Sequence, residues 1–287
     1  MDWPKNISDP SYESLVLGAI ASGNFDHKFV PLTIGTGIFY VSQDALKIGG
    51  VRINASAILQ QHIADMIGGY LVTPKLLDQM WAQRAATILP CIQPIASTTE
   101  AMIKHSACID AQLARMSVPA NGIVQTVGKT WVLSNKLSNT VAMNDGWHIE
   151  KQIPGVPFDP APTLPGAHMI QSPGTRHGPL HADYSQICLF VSKGCIVDGN
   201  VTTFAEVAQS STLASLVSGE GPLRILRQPG APEIVQPPRV ASKPAGAGTL
   251  ALTAGGAAAG AAIGGPPGAL VGAALGWAAD SVRRMLS

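Results

Sequence analysis

Charge is scarce in this chain of 287 residues. Asp, Glu, Lys and Arg make up 13% of it, against about a quarter in an ordinary domain. The net charge is +1, so bulk electrostatics points to neither nucleic acid nor an anionic membrane. Aromatic residues amount to 5% and do not interleave with basic ones, so nucleic acid is excluded as an expected partner. The four cysteines, Cys91, Cys108, Cys188 and Cys195, form no C-x-x-C pair. A zinc knuckle or thioredoxin-like motif is thereby excluded, and reduced thiols are the expected state. The opening "MDWPKNISDP" lacks a basic stretch followed by an apolar run. The expectation is a protein made in the cytoplasm without a signal peptide, then membrane-associated, virion-associated or exported by a non-standard route.

Apolar periodicity is well supplied. Over residues 55–69, Ile58, Leu59, Ile63, Met66 and Ile67 form one stripe that Gly68-Gly69 ends, which predicts a helix. Thr73 and Pro74 have the residue types of an N-cap and a first helical position, followed by Leu76, Leu77, Met80 and Trp81. Ser97 and Glu100 have capping-box spacing ahead of a third helix. The first fifty residues suggest only a strand and a turn, in "GIFYVSQDALKIGG". After residue 120, "KTWVLS", "TVAM", "ICLFV" and "CIVD" read as short strands, with "SKG" as a hairpin loop between the last two. Residues 203–221 return to helix. The expected class is α+β, with N-terminal helices packed on a small, mostly antiparallel sheet.

The C-terminal part has a different composition. Residues 221–248 hold six prolines and predict an extended linker after a globular domain of residues 1–220. Residues 249–287 are Gly/Ala-rich. Gly256, Gly260, Gly264, Gly268, Gly272 and Gly276 recur every four residues, and Pro266-Pro267 interrupts the run. That spacing predicts a helical hairpin whose bare face lets a second helix approach, in a membrane or by self-association. The segment resembles the glycine zippers of bacterial envelope proteins, phage proteins and secreted effectors.

The densest polar stretch is "RHGPLHADYS". Strand alternation from Leu180 onward would put His181, Asp183 and Ser185 on one face. His177 as base, Asp183 as its orienter and Ser185 as nucleophile form a nucleophilic set, with His148 beside them. Lys129, Asn135, Trp147 and Tyr184 are the expected substrate-binding residues. The metal alternative takes His177, His181 and Asp183 as ligands, with zinc as the cofactor.

"STTEAMIKHSACIDAQL", "VGKTWVLSNKL", "DGWH" and "IQSPGTRHGPLHADYSQ" occur in that order. The series resembles a family of uncharacterised bacterial and phage-associated proteins over residues 55–228. The resemblance covers His105, Lys129, Asn135, Trp147, His148, Gln171, His177, Gly178, Asp183, Tyr184 and Ser185. The chain departs from it at Gln186 and Ile187, where the family has His and Gly. The family brings no established activity. A looser likeness is to the L,D-transpeptidase pattern, which would place a reactive thiol at Cys188. Together these features lead us to expect a cell-envelope hydrolase acting on peptidoglycan, its partner a cell-wall polymer. The alternative is a non-enzymatic structural protein whose zipper drives insertion or oligomerisation.

Overall fold

Side-chain caps set where the helices of this chain begin. The computed structural model describes residues 1–94 and 96–234. Asp9 accepts from the Ser11 amide, and Pro10 opens α1, Pro10–Ala21, a helix that the reading of the first fifty residues missed. Ser56 caps α2, Ala57–Ile67, which ends at Gly68 with φ 73°. Thr73 caps α3, Pro74–Ala82. The cap of α4, Thr99–Leu113, is Thr98 and not Ser97, because the Ser97 hydroxyl donates to the Ala182 carbonyl instead. Thr203 and Glu206 form a capping box on α5, Phe204–Gln209. A 3-10 turn, Ala214–Leu216, follows it, so the long helix expected over 203–221 is broken.

Two larger antiparallel sheets and two two-stranded ones accompany these helices, and the architecture is mixed α+β. The strand Phe190–Val197 pairs with Gly37–Ser42 on one side, and with Gly69–Leu71 and Asn200–Thr203 on the other. Phe29–Ile34 extends this five-stranded sheet beside Gly37–Ser42. The predicted hairpin at "SKG" is absent: those residues lie within one continuous strand, of which only Lys193 is exposed. The reversal comes at Asp198-Gly199, with φ 50° and 76°, the left-handed pair that a tight hairpin needs. The second sheet runs in the order Asp159–Pro160, His168–Gly174, Met143–Ile149, Lys129–Val132. One apolar core contains residues of both sheets, among them Phe39, Val41 and Phe190 from the first and Trp131 and Val132 from the second.

Three further expectations are corrected. The folded unit runs to Ile234, so residues 221–234 are not linker. Leu223 and Gln228 are buried, and the Gln228 amide donates to Gln61 Oε1 at 2.9 Å. Cys91 and Cys108 are not free thiols but a disulfide that joins the loop before α4 to α4 itself. The segment preceding Phe190 is not a strand: residues 183–188 form a turn followed by isolated bridges to Asn54 and Lys129. The predicted zipper hairpin lies outside the described residues. Among the described residues no helix is long and apolar enough to cross a membrane.

Candidate functional site

Glycine brings the two halves of the site together. Gly128 has φ 154°, and a Cβ there would lie 2.7 Å from the Ser185 carbonyl oxygen. Only a bare backbone lets the start of the Lys129–Val132 strand run against residues 185–187. The Lys129 amide then donates to the Ser185 carbonyl, and the Ile187 amide to the Lys129 carbonyl. Gly146, φ 140°, is held by the same crowding: its Cβ would meet the Gly128 carbonyl at 2.6 Å.

Asp183 is the hub of what results. Its Oδ2 receives the Lys129 ammonium at 2.8 Å and His181 Nε2 at 3.4 Å. Its Oδ1 receives the Ser185 amide at 2.9 Å and the Ser185 hydroxyl at 2.7 Å. Burial alone would raise this carboxyl; Lys129 and the two Ser185 hydrogen bonds outweigh it and hold the group below the ordinary carboxylate range. The rings of His177 and His181 stack, with centroids 3.9 Å apart and planes 7° from parallel. Desolvation, His181 and Lys129 all push His177 down, so it is unprotonated at neutral pH. Both imidazoles are partly exposed, whereas Asp183, Ser185 and Lys129 are buried.

The predicted nucleophilic set is therefore not assembled. The Ser185 hydroxyl donates to a carboxylate rather than to an imidazole, and it is 2% exposed. His148 belongs to a different cluster. Its Nε2 bonds Asp78 Oδ1 at 2.7 Å, while the amide and hydroxyl of Thr163 donate to Asp78 Oδ2 at 2.8 and 2.5 Å. Trp81 stacks on the His148 ring at 5.7 Å. The side chains of His148 and Asp78 are 1% and 0% exposed, although His148 borders a cavity of about 180 Å³ with Trp81, Leu89 and Glu150. Nearby Asp145 is buried, and burial followed by the charge of Asp78 raises its carboxyl well above the usual range.

The predicted substrate-binding residues are also corrected. Lys129 is committed to Asp183. Asn135 holds the chain's own residues 222–224, donating to the Pro222 carbonyl and accepting from the Arg224 amide. Tyr184 is buried, its hydroxyl accepting from the Gln93 amide. Trp147 is buried too, with φ 55°.

The metal alternative does not fit these residues. Lys129 occupies the Asp183 oxygen that would face the cation. Among the described residues no group of three or more His, Cys, Asp and Glu side chains could hold a metal ion. Cys188 is a fully buried thiol raised by desolvation, which suits a core residue and not a nucleophile.

Sequence reasoning missed Asp78. The signal was available: Asp78 stands three residues before Trp81, on the apolar face of α3. A carboxylate there must find a buried partner. No family model, curated protein or solved structure matches the chain.

Proposed function

We propose that residues 1–234 form a hydrolase directed at a polymer of the cell envelope, with His181 in place of Ser185 at the reacting centre. The observation that carries this reading is the Asp183–His181–His177 arrangement. A buried carboxylate orients one imidazole, a second imidazole stacks on it, and both rings reach the surface. With Nε2 directed at Asp183, His181 presents Nδ1 as the lone pair that takes a proton from water. His177, neutral at pH 7, lines the approach of the substrate. The exposed Leu180 beside them supplies an apolar contact. The envelope as location is supported by the resemblance to phage-associated proteins and by the glycine-zipper segment on its proline-rich lead. The Cys91–Cys108 disulfide adds to this, since such bonds persist in oxidising compartments.

The test is mass spectrometry of soluble fragments released from purified peptidoglycan by the full chain, beside His181→Ala and His177→Ala. Release that falls at least about 100-fold in His181→Ala is the expected result, the usual contribution of a positioned base. Absence of release in the native chain favours the second reading, a structural or interaction protein. One observation supports that reading: Ser185, Lys129 and His148 all spend their polar groups on other parts of the same fold.

A further inference from the structure

Nine buried residues carry side-chain polar atoms with no hydrogen-bond partner among the described residues, and four of them, from four separate segments, belong to neighbouring parts of the fold. The four are Asn54 (Nδ2 and Oδ1), Gln186 (Nε2 and Oε1), His105 (Nε2) and Trp147 (Nε1). Their exposures are 0%, 0%, 1% and 6%.

The fold brings the backbones of Asn54 and Gln186 together, and it groups the rings of His105, Trp147 and Tyr184. Asn54 and Ile187 are bridge partners, and the Ala55 amide donates to the Gln186 carbonyl. The His105 ring lies 5.4 Å from that of Tyr184 and 6.2 Å from that of Trp147, and Trp147 lies 6.2 Å from Tyr184. The Tyr12 hydroxyl donates to the Asn54 carbonyl and contacts Met102, one turn before His105 on α4. Gln186 also pairs with Lys129, and the Gly128 carbonyl accepts from the Trp147 amide.

Burying so many unpaired groups in one place would cost an appreciable share of a domain's net stability. Trp147 adds backbone strain, since a bulky residue at φ 55° is disfavoured and is kept where its surroundings require that orientation. We propose that Asn54, His105, Trp147 and Gln186 form a binding site for a neutral amide group, such as a peptide bond or carboxamide presents. Asn54 and Gln186 each offer a donor and an acceptor, the complement of an amide. Trp147 adds a donor. The rings of His105, Trp147 and Tyr184 border the site and suit a flat group.

The charges nearby are already spent. Lys129 is paired with Asp183, and Arg52 with Asp44 and Asp110, so neither cation is free to hold an anion. Burial and Arg52 bring His105 to about 4, which leaves it neutral at pH 7. The site does not depend on catalysis at His181.

The test uses the ¹⁵N-labelled full chain and N-acetyl-alanine methylamide as probe, followed by NMR. The indole N–H signal of Trp147, identified by its loss in Trp147→Phe, is expected to shift and saturate with the probe. Acetate is expected to leave it in place. Gln186→Met, which keeps the shape and removes the amide, should weaken probe binding by at least about tenfold without lowering Tm. If Gln186→Met does not fold, Trp147→Phe replaces it, read on the Gly128 amide, with the same tenfold weakening expected. No shift with the probe, an equal shift with acetate, or undiminished binding in the variant would overturn the assignment.

Discussion

Two aspartate–histidine centres sit in this domain, and they differ in what surrounds the imidazole. In the Asp78–His148 centre every carboxylate oxygen is taken up by His148 or Thr163, Trp81 covers the ring, and both side chains are almost wholly buried. In the Asp183–His181 centre the carboxylate is equally committed, but the His181 side chain is 32% exposed and a second imidazole stacks on it. The first arrangement serves the fold. The second leaves its imidazole partly open to solvent. The difference comes from the chain segments: His148 lies inside a sheet strand, whereas His177 and His181 flank Gly178-Pro179, a pair that cannot continue a helix or central strand.

This contrast can be broken at either centre. The largest effect is expected from Asp78→Ala, which strands His148 and Thr163 without an acceptor. It should lower stability by about 3–5 kcal/mol in urea unfolding, because removing one partner of a buried pair leaves the other uncompensated. A loss under about 1 kcal/mol would show that the Asp78 centre is not structural. Lys129→Met comes next. It leaves Asp183 without its cation and should cost about 2 kcal/mol, the range for a hydrogen bond to a charged group. It should also loosen His181, which a change in that ring's NMR line width would reveal.

The smallest effect is the pH dependence of the Asp183 centre. The carboxyl is held below its ordinary value in the folded chain. Its contribution is thus fully present above the unfolded pKa, near 4, and is lost as pH falls through the lower folded value. Asp183→Asn should flatten the acid limb of the stability curve below about pH 4 and leave the neutral limb parallel to that of the native chain. An unchanged acid limb would place the Asp183 carboxyl in the ordinary range.

The legible parts of this protein were those where one residue's own chemistry settles its role. The cap at Thr73, the Gly68 stop and the Pro74 start follow from local hydrogen bonding and backbone freedom, and the structure has them. Ser97 shows where that reasoning stops. As a local candidate it equals Thr98, and only the distant Ala182 carbonyl draws its hydroxyl away from the helix. The hairpin expected at "SKG" failed for a related reason. Pairing with Gly37–Ser42 and Asn200–Thr203 continues the strand past the glycine, and the Asp198-Gly199 signal next to it was the stronger turn.

The candidate site divides along the same line. His177, His181, Asp183 and Ser185 lie within nine residues, so their proximity was written into the chain, and Lys129 joined them because Gly128 admits the close backbone contact. Which oxygen meets which donor was not legible. His148 is 29 residues from His177 in sequence and seemed part of one site. Its partner Asp78 comes from α3, and nothing local announces that pairing. The sequence by itself determined helices α2 and α3 with the Thr73 cap and the Gly68 stop, and the grouping of polar residues near position 180, because these depend on interactions a few residues long. The tertiary structure decided that Asp183 serves Lys129 and His181, that Ser185 is bound rather than free, and that His148 belongs to Asp78. Those choices depend on burial, and burial is a property of the assembled core.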